Sequence, residues 1–354
     1  MTAGDAPREI RRVLICEDSP TYAAGLSRLL SREHDIEVVG VCSSAEEAIA
    51  RVAELAVKPD LMTMDLELPG MSGGEAIEQI MSVQPMPILV LSGSVSRGSE
   101  RALETLGAGA LEVLSKDALD LRDPDGVDAR AFRRRVRLLS GVRVVRHPRA
   151  RLNGHVRAST GGASARRTSV VGICASAGGP HAVAAVLAAV PADFKVPILI
   201  VQHITTGFVE GLVHWLDGQV PLTVRLAAPG PIQPGVWVAP EGAHLLLDGR
   251  KRLALDDRDD GEKHRPSGNV LLRSIAEHAG AEAAAVVLTG MGRDGAEGLG
   301  AVQRAGGLTI AQDEATSTVF GMPKAAAECG AALVLPPAEI GRRLSVLRPA
   351  EVST

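Results

Sequence analysis

This chain of 354 residues predicts two doubly wound α/β domains, each built on a parallel sheet, joined by an arginine-rich linker. Three observations lead there. Short apolar runs alternate with segments of helical period from Arg12 to about Asp120; the alternation breaks off and then resumes at Ser169. Apolar residues make up 45% of the chain, enough at this length to bury two ordinary cores. Residues 130–167 hold twelve Arg and no acidic residue, so the rest of the chain carries 26 basic against 42 acidic side chains.

The first domain spans residues 11–125. Its strands are RVLIC (12–16), EVVGVC (37–42), LMTMD (61–65), PILVLS (87–92) and LEVLS (111–115). Helices are expected over 22–30, 45–56, 74–81 and 101–106, one after each of the first four strands. The linker, 126–168, shifts to Arg, Gly and Ser. Within it Phe132, Val136 and Leu139 share a helical face ringed by Arg133, Arg134, Arg135 and Arg137, predicting a short amphipathic helix before a looser tail. That is either a solvated linker with one docking helix or a basic site for an acidic protein, a membrane surface or nucleic acid.

The second domain spans 169–350. Strands are expected at SVVGIC (169–174), PILIVQ (197–202), VWVAP (236–240), LLLD (245–248), AAAVVLT (283–289) and LTIAQ (308–312), with helices near 180–190, 208–216, 269–278 and 296–305.

Composition narrows the function. Aromatic residues are 2% of the chain, too few for a platform that stacks single-stranded bases, so no nucleic-acid partner is expected. The N-terminal residues carry no apolar signal core. The longest apolar stretch, 182–204, is broken by Pro191, Asp193, Lys195 and Pro197, which predicts a cytoplasmic protein without membrane insertion. Four scattered cysteines with no CxxC pair suit a reducing compartment and argue against structural zinc.

Chemistry gathers at predicted strand ends. Glu17 and Asp18 follow the first strand, Asp65 ends the third, Ser92 ends the fourth and Lys116 follows the fifth, so a parallel sheet brings them to one edge. Carboxylates so placed repel one another, which suggests a hard divalent cation, most simply Mg²⁺. Asp65 can then attack a phosphoryl donor while Lys116 offsets the growing charge. These residues, with DLELPGMSG after the third strand, resemble the response-regulator receiver domain, whose fold is flavodoxin-like. The resemblance implies Asp65 as phosphoacceptor and Glu17, Asp18 and the Glu67 carbonyl as metal-facing. Ser92 and Lys116 become phosphoryl contacts, and a histidine kinase the donor. Asp117 stands where proline is usual, and Val113 where many receivers place an aromatic switch residue.

In the second domain VVGICASAGGP reads as strand, tight turn and helix, with Ser176 in the turn beside free backbone N–H groups. Such a serine can bind an anion or act as a nucleophile. His203 ends the next strand and Asp294 follows a later one, on the same sheet edge. Together they offer a nucleophile, a general base and a carboxylate that orients it, although a lone strand-end histidine is often only structural. A rival signal is Gly290, Gly292 and Gly295, a GxGxxG with Asp313 or Glu314 downstream, the pattern of a dinucleotide-binding dehydrogenase.

CASAGGP, VQH followed by TGF, VWVAPEGAHLLL, KHRPSGNVLLRS and LTGMGRDGAEGL are similar, in order and spacing, to the CheB family of chemotaxis protein-glutamate methylesterases. The resemblance implies a Rossmann-like methylesterase domain with Ser176, His203 and Asp294 catalytic, the Met291 backbone as an oxyanion donor, His264 lining the site, and no cofactor for the esterase. It further implies phosphorylation-activated hydrolysis of glutamate methyl esters, and glutamine deamidation, on a methylated chemoreceptor. Ala177 stands where the family commonly has threonine, and Ile204–Thr205 where it has Met-Pro. The alternative is a phospho-regulated binding module without catalysis.

Overall fold

The computed structural model describes residues 10–93, 95–142, 144, 166–258 and 261–350, and for residues 95–100 and 103 the backbone alone. Much of the linker's arginine-rich tail therefore lies outside the described residues. The chain divides into two compact units, Met1–His147 and Pro148–Thr354.

The first unit alternates β1 (Arg11–Cys16), α1 (Pro20–Leu30), β2 (Ile36–Cys42), α2 (Ala45–Glu54), β3 (Leu61–Asp65), α3 (Gly73–Val83), β4 (Ile88–Ser92), α4 (Val95–Ala108), β5 (Glu112–Ser115) and α5 (Val127–Ser140). All strands pair in parallel, in the order β2-β1-β3-β4-β5. Strands β3 and β4 are buried at every residue and largely apolar, because helices cover both faces. Helix starts follow from local chemistry: Ser19, Ser44 and Ser72 each accept a backbone N–H in the first turn, and Ser72 with Glu75 forms a full capping box.

The helix read from sequence as part of the linker, α5, packs on α1, β1 and β3. Phe132, Val136 and Leu139 are buried. So is Arg133, whose guanidinium donates to Glu33 (2.8 Å) and to the carbonyls of Leu29 and Pro124. Arg137 pairs with Asp35 (2.7 Å) and Glu33, and Arg135 with Glu112. Much of the positive charge on this helix is thus matched by acids of its own unit.

The second unit runs β6 (Arg167–Thr168), β7 (Val170–Ala175), α6 (Gly179–Ala188), β8 (Ile198–Gln202), α7 (Val209–Gln219), β9 (Val224–Leu226), β10 (Gly230–Pro231), β11 (Val236–Val238), β12 (His244–Leu247), β13 (Arg252–Asp256), α8 (Gly268–Ala279), β14 (Ala283–Val287), α9 (Ala296–Arg304), β15 (Leu308–Gln312), α10 (Met322–Glu328), β16 (Leu333–Leu335), α11 (Pro337–Ser345) and β17 (Arg348–Pro349). Its seven-stranded sheet is parallel, ordered β16-β15-β14-β7-β8-β11-β9. Helices α6, α7 and α11 pack together, as do α8, α9 and α10, giving two helical layers.

Several elements differ from expectation. LLLD does not join the parallel sheet: β12 pairs antiparallel with β13 in a separate sheet, β10-β13-β12, whose Leu245, Leu247 and Leu253 pack into the core beside α8. Strands β9, β13 and β16 and helices α10 and α11 escape the apolar-run reading, since the strands are short or charge-flanked and the helices small. No helix among the described residues is long and apolar enough to cross a membrane.

Candidate active site

Strand order decides where chemistry gathers in the second unit. From β7 the chain builds outward through β8, then returns to β14 on the other side, so β7 and β14 flank the switch in winding direction. A crevice opens at the carboxyl ends of strands at such a point. Ser176 follows β7, His203 follows β8, and Asp294 lies in the turn after β14.

The Ser176 turn is held from several sides. Its N–H donates to the Thr289 carbonyl (3.0 Å), and its own carbonyl accepts from the N–H of Gly179 (2.8 Å) and from Gln202 Nε2 (2.7 Å). Thr289 Oγ1 donates to the Ala177 carbonyl at 2.9 Å. Gly178 adopts φ 71°, and a side chain there would strike Thr318, so both conformation and space demand glycine where α6 begins. Gly290 of the GxGxxG lies against the nucleophile turn: a Cβ on it would stand 2.7 Å from that of Ser176. This glycine is explained by close packing, without a pyrophosphate. Among the described residues, the N–H groups of Ala177 and Met291 donate to no acceptor, which leaves them available to a developing oxyanion.

His203 is anchored by its N–H to the Ala175 carbonyl (2.9 Å), and its Nε2 meets Asp294 Oδ2 at 2.9 Å. A carboxylate at Nε2 favours the proton there and makes Nδ1 the basic nitrogen. Asp294 in turn sits at the start of α8. Oδ2 accepts the Gly268 N–H (2.6 Å), and Oδ1 accepts the Asn269 N–H (3.0 Å) and the Ser267 hydroxyl (2.9 Å). Burial alone would raise its pKa; the bonds from His203 and these backbone groups outweigh it and hold the carboxyl well below the usual range. The His264 ring stacks on His203, with centroids 4.3 Å apart and planes 22° from parallel. Shielding of that face, and then the neighbouring imidazole, lowers its pKa from the ordinary histidine value.

Two supporting residues carried no role in the sequence reading. Ser267 was legible as a serine before a helix, the N-cap signal, and it caps α8 while donating to Asp294. Gln202, inside the quoted VQH, gave no local signal, because its partners become neighbours only in the sheet.

At the edge of the first unit, carboxylate oxygens of Glu17, Asp18 and Asp65 lie within 4.8 Å of one another, a hard-oxygen donor set that fits Mg²⁺. Lys116 Nζ stands 2.8 Å from Asp65 Oδ2, and 2.9 and 2.7 Å from the two oxygens of Glu17. Against the cost of burial, the bonds to Asp65 and Glu17 hold this lysine above its ordinary pKa. Burial raises the Glu17 pKa despite Lys116. Ser92 is fully buried and its Oγ has no hydrogen-bond partner, the kind of orphan donor that a phosphoryl oxygen would satisfy. Val113 is buried on β5. Asp117 extends the strand into a single 3₁₀ turn, where its N–H is capped by Ser115 Oγ.

The family description CheB methylesterase matches residues 171–344, and that of the response regulator receiver domain matches residues 13–122. The chain is 43% identical over 350 residues to protein-glutamate methylesterase/protein-glutamine glutaminase 2 of Anaeromyxobacter dehalogenans, covering 98% of this chain and 99% of that one. It is 42% identical over 319 residues to the protein numbered 3 under the same name in Myxococcus xanthus (89% and 87%). The protein numbered 1 in Cupriavidus pinatubonensis is 39% identical over 339 residues (94% and 96%).

Proposed function

The chain belongs to the CheB methylesterase family, with a response-regulator receiver domain ahead of the esterase domain, and from that premise we propose that it hydrolyses glutamate methyl esters of chemoreceptors under control of phosphorylation at Asp65. The observation that carries the chemistry is the hydrogen-bonded His203–Asp294 pair, whose members follow β8 and β14, the two strands that flank the β7 end from which Ser176 extends.

Ser176 Oγ attacks the ester carbonyl while His203 Nδ1 takes its proton, and Asp294 stabilises the imidazolium that forms. The oxyanion is received by the N–H groups of Ala177 and Met291. Methanol departs with the proton from His203, and water, activated by the same imidazole, releases glutamate from the acyl-enzyme. A side-chain amide fits the same sequence with ammonia as leaving group, so glutamine deamidation is the second activity. His264 supports the base through its stacked ring.

In the receiver, Glu17, Asp18 and Asp65 would hold Mg²⁺, which when bound supplies charge compensation for the incoming phosphoryl group. Asp65 accepts the phosphoryl group from a histidine kinase, with Lys116 and Ser92 contacting its oxygens. Phosphorylation then shifts the chain toward a more active state. The protein acts in the cytoplasm, where receptor substrates present their modified glutamates.

The test is methanol release from methylated receptor cytoplasmic fragment, with and without acetyl phosphate. Ser176→Ala should abolish release and leave phosphorylation intact. Asp65→Asn should keep basal release and lose the phosphodonor response. Release by Ser176→Ala at the wild-type rate would remove the serine from the mechanism.

A further inference from the structure

Gln202 lies between the two residues assigned here as nucleophile and base, and its carboxamide touches the backbone of both. Nε2 donates to the Ser176 carbonyl at 2.7 Å and to the His203 carbonyl at 2.8 Å, using both amide hydrogens. The residue is 4% exposed. Its Oε1 is buried with no hydrogen-bond partner. Gly179 leaves room for the amide, since a Cβ at 179 would collide with it.

An orphan amide oxygen in a sealed site costs stability, and leucine or methionine would fill the space without that cost. The amide therefore contributes through its donor side. Those two bonds tie the turn after β7 to the end of β8, setting the distance between the serine and histidine backbones. By pinning the Ser176 carbonyl they also set the plane of the Ser176–Ala177 peptide, and with it the direction of the Ala177 N–H. We propose that Gln202 is a positioning residue for ester hydrolysis, holding nucleophile, base and oxyanion donor in one geometry. The proposal rests on the assignment of Ser176 and His203 made above.

The test uses the full chain and methylated receptor fragment, comparing Gln202→Leu, Gln202→Glu and Ser176→Ala with wild type. For Gln202→Leu, kcat should fall on the order of 10²-fold, as expected for a small misplacement of reacting groups, with KM within about twofold. Its melting temperature should fall by no more than a few degrees, because the Ser176 carbonyl keeps the Gly179 N–H and loss of the orphan oxygen offsets the donor taken from the part-buried His203 carbonyl. Gln202→Glu keeps the shape but can donate only when protonated, and only once. Its kcat relative to wild type should therefore rise as pH is lowered from about 8 toward about 6, since burial raises the pKa of a carboxyl. A Gln202→Leu variant with wild-type kcat, or one whose loss of activity is matched by a lowered melting temperature and a smaller folded fraction, overturns the proposal. So does a Gln202→Glu to wild-type ratio that does not change with pH. Failure of the catalytic assignment itself would appear separately, as methanol release by Ser176→Ala.

Discussion

Replacing Asp294 with asparagine tests the centre of the site, because the carboxylate does two things at once. Each oxygen accepts from one backbone N–H at the start of α8 and from one side chain: Oδ2 from Gly268 and His203, Oδ1 from Asn269 and Ser267. An amide has one acceptor oxygen, so either orientation of Asp294→Asn points an NH₂ group at a backbone N–H. A buried unsatisfied donor costs about 1–3 kcal/mol. Loss of the negative charge at the helix N-terminus adds about 0.3–1 kcal/mol. In a unit of this size each kcal/mol lowers the melting midpoint by roughly 2–4 °C. Catalysis should suffer more. With NH₂ toward His203 the imidazole is held as the Nδ1–H tautomer and cannot take the serine proton, a loss of about 10⁴-fold in other Ser-His-Asp enzymes. With the carbonyl toward His203 the tautomer survives but its cation is no longer stabilised. Methanol release measures the rate, and ¹⁵N shifts of the ring identify the tautomer. The pH dependence has a definite sign. The carboxyl is depressed in the folded state, so its stabilising effect is present above the ordinary carboxylate value and lost as pH falls through the folded one. The stability gap between wild type and Asp294→Asn should thus be full at neutral pH and shrink below about pH 4. Activity within about tenfold of wild type, with an unchanged tautomer, would refute the reasoning.

The remaining predictions concern both units. Arg133→Ala should destabilise the first unit by about 1–3 kcal/mol, because the Leu29 and Pro124 carbonyls lose their donor, while exposed Arg134→Ala stays within about 0.5 kcal/mol; chemical denaturation compares them. Lys116→Met removes a cation lying against Asp65 and Glu17, so titration calorimetry should show tighter Mg²⁺ binding while acetyl phosphate no longer raises methanol release. His264 should titrate by NMR below the ordinary histidine value, since one face of its ring is shielded where it stacks on the His203 imidazole.

The parallel sheets were readable because each central strand is a short apolar run closed by a polar residue: Asp65, Ser92, Ser176 and His203 all stand where such a run ends. Helix starts were readable wherever a serine precedes the first turn. Other features depend on distant partners. Arg133 reads as one more charge on a solvated face, and only the fold brings Glu33 to it from 100 residues away. RLALD, set among charges such as Lys251 and Asp257, does not read as a strand until β12 pairs with it. Asp294 follows its strand by several residues; the strand pattern placed it on the edge as a candidate partner of His203, and the family resemblance implied its catalytic role. Gln202 shows the same limit within a quoted motif, since the carbonyls it serves belong to a turn far away in sequence.

The outer strands of the seven-stranded sheet, β9 and β16, are three residues each, while the strands between β15 and β8 have five or six. A rim so short presents few open amides to a passing chain, and on β9 the exposed Arg225 adds a charge that a docking strand would have to desolvate. The sheet is thereby discouraged from growing by strand addition, so protection against fibrous self-association lies in its own margins.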